Sequence, residues 1–322
     1  ESLVPNAFAG VLVGRDGPAT TVGVPGVSIR DNLVAGHFVE IHLLGDQSRF
    51  ASVQENRVGL FANNQVAREE RAGIGIFVNG ASVSQVGGPN LGNTIGGMNR
   101  GLVLAADSVV VLGNRIGTNP AGTAGRPNEI GVTIVGELEG VRTVTGRSNV
   151  IGFVSEGLPA AETANVISGN RIAGIRIGST LAVGPASVKG SLRPPTLAHL
   201  SQIPWEASAD STTIAGSPRS ARVLGAADSN FVSGNYIGVG AGAVGSLGNG
   251  LGVTFSSGVE VVSGVGNQII QNVIGGNSTG ILLLPEIVGG VLSKPPVGTV
   301  IDRNLIGLSA RGGGEGTERP NE

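Results

Sequence analysis

Side chains that could act as acids, bases or metal ligands are sparse and scattered in this sequence. Its seven Asp residues include no adjacent pair and no two within five positions of each other. The acidic clusters are Glu69-Glu70 and Glu137 with Glu139, and either could form a paired-carboxylate site. Their positions in or near loops favour solvated charges instead. Since glycoside hydrolysis and Ca²⁺ binding both need grouped carboxylates, no catalytic residue is predicted.

Two histidines offer the main alternative chemistry. His37 and His42 flank Glu40 at a spacing that could bring the three side chains together near one strand. A zinc site would need ligands that the neighbouring sequence does not supply, and the chain has no cysteine. Arg176 could bind a substrate, although an outward-facing strand residue is the default interpretation. We therefore expect no metal and no cofactor.

The charge and hydropathy of the chain exclude two classes of partner. The 21 basic and 23 acidic residues are dispersed and give a net charge of -2, which provides no electrostatic surface for nucleic acid. The densest apolar run, residues 281–284, is far shorter than a membrane span. With 56 Gly and 40% hydrophobic residues, the chain can still bury a long apolar core.

A short motif, Asn-x-Ile or Asn-x-Val and usually a following Gly, recurs along the chain. It begins at Asn32, Asn56, Asn93, Asn114, Asn149, Asn170, Asn235, Asn272 and Asn304. The spacing is 21 residues from Asn93 to Asn114 and again from Asn149 to Asn170, which indicates one coil per twenty-odd residues. At that length the chain would form roughly 12–13 coils.

Short, β-branched segments with a period of two separate these asparagines. Asn tolerates the left-handed backbone of a sharp corner, and its amide can bond to the equivalent Asn one coil away, so we expect a ladder of corners. Strands this short cannot bury their apolar faces alone and must stack, which predicts an all-β solenoid. A β-sandwich is the runner-up, but it leaves unexplained the constant offsets of 58 and 121 that relate Asn56, Asn114 and Asn235.

The hexapeptide Asn-Val-Ile-Ser-Gly-Asn at 165–170 and the Gly-Asn-x-Ile-Gly loops carry a family resemblance. They resemble the right-handed parallel β-helix repeats of the pectin-lyase-like superfamily, and especially those of repeat-rich bacterial secreted and surface proteins. The resemblance covers about residues 25–180 and 225–310. It implies a right-handed parallel β-helix, a fold that hosts lyases and hydrolases as well as non-catalytic adhesins.

Residues 180–222 interrupt the repeat and are predicted to be an insertion within a single β-helix domain spanning 1–322. The segment is rich in Pro and contains His199 and the only Trp, Trp205. The simplest interpretation is a lateral loop or small helix that covers the solenoid. A binding loop or a contact between subunits is the alternative, because insertions in solenoids often carry recognition surfaces.

The two ends of the sequence suggest an assembly. Residues 319–322 repeat the segment 126–129, which precedes a predicted strand, and residues 5–13 have the layout of the strand that would follow. No capping helix is predicted at either end. One hypothesis is head-to-tail stacking into a filament, and the alternative is a piece cut from a longer repeat array. The candidate contact residues are Val11, Leu12, Val13, Ile306 and Asn321.

These patterns favour a non-enzymatic structural protein at the cell surface or outside the cell, as a filament or as a rod-like segment of an adhesin. Its expected partner is a second copy or flanking repeats. A polysaccharide-binding or polysaccharide-degrading β-helix is the alternative function, with a surface polysaccharide as partner. Three or more carboxylates converging on one groove would favour that alternative.

Overall fold

The chain folds as a right-handed parallel β-helix, as the sequence predicts. The computed structural model describes residues 3, 5–6, 8–14, 24–68, 73–139, 146–153, 159–182, 227–243, 245–250, 256–285, 287–288, 291–292 and 295–307. Three parallel sheets of eight strands run along the molecule, and each coil contributes one strand to each sheet in turn.

The strands are short because each sheet ends at a corner. Sheet 1 contains β1 Ala9–Val13, β4 Val39–Leu44, β7 Ile74–Asn79, β10 Arg100–Ala105, β13 Ile130–Glu139, β16 Ala173–Ala182, β19 Ser257–Val261 and β22 Thr279–Leu283. Sheet 2 contains β2 Ser28–Arg30, β5 Ser52–Gln54, β8 Gln85–Gly87, β11 Val110–Leu112, β14 Val150–Ile151, β17 Phe231–Ser233, β20 Gln268–Ile270 and β25 Val300–Asp302. Sheet 3 contains β3 Leu33–Val34, β6 Arg57–Val58, β9 Thr94–Ile95, β12 Arg115–Ile116, β15 Val166–Ile167, β18 Tyr236–Ile237, β21 Val273–Ile274 and β26 Leu305–Ile306.

Other regular elements of the described residues lie between these strands. They are the antiparallel hairpin of β23 Ile287–Val288 with β24 Val291–Leu292, and the 3-10 helices Asp46–Ser48 and Ala241–Ala243. Among the described residues, no helix has the length and apolar character needed to cross a membrane.

The core is a set of apolar stacks, one from each sheet, that meet along the axis. In sheet 1, for example, Ile41, Ile76 and Leu102 lie in register and are fully buried. Glycine stands directly before Ile76 and Leu102, at the point where two sheets meet. A Cβ on Gly101 would lie 2.7 Å from the carbonyl oxygen of Gly131 and 3.1 Å from the Ile116 side chain, so only glycine fits there.

The number of coils differs from the prediction. The described residues form eight coils rather than 12–13, a stack of about 38 Å at about 4.8 Å per coil. Coil length varies widely, because stacked asparagines of one ladder are between 21 and 70 residues apart. The 21-residue spacing from Asn149 to Asn170 is not the length of a coil. These two residues are corners of the same coil, before β14 and β16.

The offsets of 58 and 121 have a structural origin in a two-coil unit. Every second coil carries a long loop between sheet 3 and sheet 1, closed by an antiparallel bridge: Leu60 with Val66, Thr118 with Gly125, and Val239 with Ser246. The coils in between make a tight turn instead, as at Gly97, which has a φ of 76°. Equivalent asparagines therefore match best at an even number of coils.

The predicted insertion falls within the coil that joins β16 to β17. Residues 180–182 are not part of it, because they are the last residues of β16 and pair with β13. Residues 183–226, with His199 and Trp205, lie outside the described residues. The insertion and its role as a cover or a contact therefore remain predictions.

Candidate assembly surface

A ladder of asparagines, buried in all but the first and last described coils, runs along the solenoid at the corner between sheet 2 and sheet 3. Each side-chain amide Nδ2 donates to the Oδ1 of the Asn one coil further along, at 2.9–3.0 Å. The ladder consists of Asn32, Asn56, Asn93, Asn114, Asn165, Asn235, Asn272 and Asn304. Because these amides are bonded within the ladder, the corner has no need of water.

Two further ladders occupy the other corners. Asn149, Asn230 and Asn267 stack before sheet 2, and Asn128, Asn170, Asn249 and Asn277 stack before sheet 1. The structure thus places seven of the nine motif asparagines in the main ladder and assigns Asn149 and Asn170 to the other two. Asn165 completes the main ladder. The Asn pairs five residues apart, such as 165 with 170, are successive corners of one coil.

The main ladder has a direction. Every Nδ2 points toward the C-terminal coil and every Oδ1 toward the N-terminal coil, so the two ends differ chemically. No described residue donates to the Oδ1 of Asn32. At the other end, Asn304 donates its Nδ2 to the Ile269 carbonyl oxygen at 2.8 Å, and no described residue accepts from its backbone N–H. The N-terminal coil therefore presents an acceptor and the C-terminal coil a donor.

The end coils also differ in how they cover the apolar stacks. In the C-terminal coil, Leu283, Ile301 and Ile306 are 41%, 45% and 41% exposed, although their equivalents one coil earlier are fully buried. The corresponding residues of the N-terminal coil are Val13, Ile29 and Val34, and they are only 6–7% exposed. The C-terminal coil is thus an apolar surface that another coil could cover.

The candidate contact residues from the sequence are distributed over both ends. Val13 is buried, Val11 is partly buried against the core, and Leu12 points outward and is 47% exposed. Ile306 is exposed in the last described strand of sheet 3. Asn321 lies outside the described residues. Only Leu12 and Ile306 of this set therefore offer substantial apolar surface.

Two of the histidine-site candidates, His37 and Glu40, form a buried pair at the start of β4. Glu40 is fully buried at a position that is Gly75 and Gly101 in the next two coils. Its Oε1 accepts from the backbone N–H groups of Gly36 and His37, and its Oε2 lies 2.7 Å from His37 Nδ1. The carboxylate thus holds a corner that asparagines hold in later coils.

His42 points away from this pair. It lies on the outer side of sheet 1, stacked on Phe77 with ring centroids 4.8 Å apart, and neither ring nitrogen has a hydrogen-bond partner among the described residues. The described residues contain no group of three or more His, Asp or Glu side chains that could hold a metal ion. The three residues therefore do not form the metal site that their spacing allowed.

Burial shifts the pKa of both titratable groups away from the charged form. Desolvation raises the pKa of the Glu40 carboxyl above 4.5, opposed by the hydrogen bonds and positive charge of His37 and by the Gly36 N–H. Desolvation lowers the pKa of His42 to about 4, so its imidazole is neutral near pH 7. Such shifts can mark active sites, but here they follow from packing alone.

Of the remaining candidate residues, Arg176 is the one whose side chain lies in the described part of the chain. Arg176 points outward from sheet 1 and pairs with Glu260 on the next strand, with Nε and Oε2 2.7 Å apart, which is a cross-strand ion pair. Glu69 and Glu70 lie outside the described residues. Glu137 and Glu139 are on the extension of β13, where only the backbone is described. The two paired-carboxylate candidates therefore remain predictions.

Comparisons with known proteins add little to this description. No protein-family model matches the chain, and no curated protein matches its sequence. Among solved structures, the crystal structure of Dettilon tailspike protein matches with 13% identity and a TM-score of 0.24. The match covers 80% of this chain and 54% of that protein, so the chain spans about half the tailspike's length. A likeness at this level carries no argument about function.

Proposed function

We propose that this chain is a non-enzymatic structural β-solenoid, a rod-like segment of an extracellular or cell-surface structure that extends by end-to-end stacking. One observation carries the proposal: apolar stacks and an Asn ladder fill the interior and continue to the last described coil, whose core side chains are 41–45% exposed. A surface of this kind is stabilised by one more coil, because a coil would cover the apolar side chains and pair the open strand edges.

The internal bonding supports a rigid rod. Asn114, for example, donates through Nδ2 to the carbonyl oxygens of Val86 and Leu112 and to Asn165 Oδ1, at 2.9–3.0 Å. Each such residue ties together neighbouring coils and two sheets. Since buried, fully bonded amides resist local opening, we expect a protease-resistant shaft.

The alternative function, binding or degrading a polysaccharide, has less support in the described residues. The charged pair on sheet 1, Arg176 with Glu260, is bonded within the sheet rather than directed at a ligand. We therefore treat polysaccharide activity as an outcome to be tested.

Electron microscopy of the full chain, combined with limited proteolysis and a polysaccharide screen, tests the proposal. We expect elongated particles, an intact solenoid under protease concentrations that degrade an unfolded control, and no new reducing ends or unsaturated sugars from acidic or neutral polysaccharides. Compact particles or rapid proteolysis would contradict the structural role. Turnover of any polysaccharide would replace it with the enzymatic alternative.

A further inference from the structure

We propose that the partner of the C-terminal coil is the N-terminal coil of a second copy, docked in the register of the solenoid itself. Strands β25 and β26 of one copy would pair with β2 and β3 of the next. This inference rests on the proposed function and specifies its partner. The two end coils have matching sequences, since Arg30-Asp31-Asn32-Leu33-Val34 corresponds to Asp302-Arg303-Asn304-Leu305-Ile306.

The charges of the two ends are complementary in this register. In sheet 2 the third residue of each strand lies over the third residue of the next, as Arg30 over Gln54 and Ile270 over Asp302. One more coil would place Asp302 against Arg30 of the next copy and Arg303 against its Asp31. In the isolated chain Arg30 pairs with Glu55, and Arg303 pairs with Asp302. The side chains of Asp302, Arg303 and Arg30 are nevertheless 49%, 68% and 53% exposed, so they can exchange these partners for the contacts across the interface.

The backbone at this corner is also matched. Asp31 and Arg303 both have left-handed conformations, with φ of 57° and 50°, so the two corners have the same shape. Opposite charges at equivalent corner positions attract each other, while two identical C-terminal coils face to face would not place Asp302 against Arg30.

The ladder polarity favours the same arrangement. The N–H of Asn304 faces the open end, and the Oδ1 of Asn32 has no described donor, so the two groups would form the bond that links Asn272 to Asn304 at 2.9 Å. A contact between two C-terminal coils would instead bring donors against donors. Head-to-tail contacts that use different surfaces on each copy produce open filaments.

Apolar contacts complete the proposed interface. Ile301 and Ile306 would lie over Ile29 and Val34 of the next copy and become buried, and Leu305 would cover Leu33, which is 49% exposed. Ile29 and Val34 are only 6% and 7% exposed in the isolated chain, so docking would add burial mainly on the C-terminal coil. The C-terminal coil is therefore the receptive surface.

Disulfide trapping tests the register, because the chain has no cysteine of its own. We would introduce Ser28→Cys together with Val300→Cys, positions at opposite edges of the eight-stranded sheet 2 and about 34 Å apart within one molecule. Stacked equivalent positions are about 4.8 Å apart, which a disulfide can span. Mild oxidation of the full chain should give a ladder of covalent oligomers.

The matched control is Leu33→Cys with Val300→Cys, two exposed positions on different sheets that the register keeps apart. It should give at least about tenfold fewer oligomers, because a disulfide tolerates only a narrow range of Cα separations. Equal trapping of both pairs, or dimers from Val300→Cys alone, would overturn the inference.

A charge exchange tests the ion pairs independently. Asp302→Arg should raise the concentration needed for half-association up to about fivefold, and adding Arg30→Asp should restore association, with both effects smaller at high salt. If adding Arg30→Asp does not restore association, the proposed ion pairs are wrong. Rods that never cross-link or associate would leave the structural role intact and indicate that flanking repeats cover the end, whereas compact particles would contradict the structural role.

Discussion

The two ends of the solenoid are built from the same coil but differ in burial. At the N-terminal end the three core side chains are 6–7% exposed, and at the C-terminal end they are 41–45% exposed. Both coils have the same ladder Asn and the same strand lengths. The repeat thus provides the same interior side chains in every coil, and the burial of those side chains depends on what packs beyond that coil.

The largest expected effect contrasts one core residue at each end. Ile29→Ala should destabilise the chain by about 3 kcal/mol, because Ile29 is 6% exposed and its loss leaves a cavity. Ile301→Ala should cost only about 1 kcal/mol, since Ile301 is 45% exposed. The denaturant midpoints of the two variants, measured on the dilute full chain, give both losses of stability. Equal losses would mean that the C-terminal coil is covered in solution.

Acid should destabilise the N-terminal coils selectively. The pKa of His42 is about 4 in the fold against 6.5 in the unfolded chain, so the unfolded chain alone takes up a proton between these values. Stability due to neutral His42 is therefore complete above pH 6.5 and falls by about 3 kcal/mol as the pH drops to about 4. Hydrogen exchange of β1 and β4 as a function of pH measures the effect.

The control for this pH effect is His42→Leu, which removes the titration and keeps an apolar side chain. Glu40 acts in the opposite sense, since its raised pKa favours the protonated fold and its contribution decreases as the pH rises above 4.5. The difference between wild type and His42→Leu isolates the imidazole. An unchanged pH profile in the variant would show that His42 is not the responsible group.

The ladder predicts a smaller contrast between the interior and the open end. Asn114→Ala should cost about 2–3 kcal/mol, because it removes the three hydrogen bonds that its Nδ2 donates and the two that its Oδ1 accepts from the backbone N–H and Nδ2 of Asn93. Asn304→Ala should cost about 1 kcal/mol or less, since its side chain is only partly buried. Thermal unfolding of both variants measures the two losses of stability. A larger loss for Asn304→Ala than for Asn114→Ala would contradict the assignment of the open end.

A substitution that relieves backbone strain should give the smallest effect, and it should stabilise the chain rather than destabilise it. Both end coils place glycine at the corner before sheet 2, Gly26 with φ 69° and Gly298 with φ 63°, whereas Val83 holds the same corner at φ 57° and is 52% exposed. Val83→Gly should stabilise the chain by up to about 1 kcal/mol, because β-branched residues are strained there. The control is Val83→Ala, which should stabilise the chain less than Val83→Gly does.

The sequence predicted the fold because its determinants are local. Asparagine corners, three-residue strands and Gly-Asn loops each carry their signal within a few residues, and the right-handed parallel β-helix follows from stacking them. The asparagines at 165 and 170 already marked two corners of one coil. Their assignment to different ladders required the three-dimensional register, because all corners use the same residue type for the same reason.

Coil number and the role of Glu40 could not be predicted in this way. Lateral loops change the length of a coil without changing its corners, so spacing alone does not count coils. Glu40 occupies an inward row of glycines, and that row becomes visible only when Val39 is aligned with Ile74. The contrast between the two ends likewise depends on exposure, which a repeat motif does not encode.

The alternation of long loops and tight turns has an evolutionary consequence. Because the loop closed by Thr118 and Gly125 and the loop closed by Val239 and Ser246 lie two coils apart and touch through Ala241 N–H and the Gly122 carbonyl oxygen, they form a rib along one side. Duplicating a two-coil segment of the gene would lengthen the shaft by about 9.6 Å, extend the rib by one loop and leave both termini unaltered. Such a protein would change its length in fixed steps of two coils.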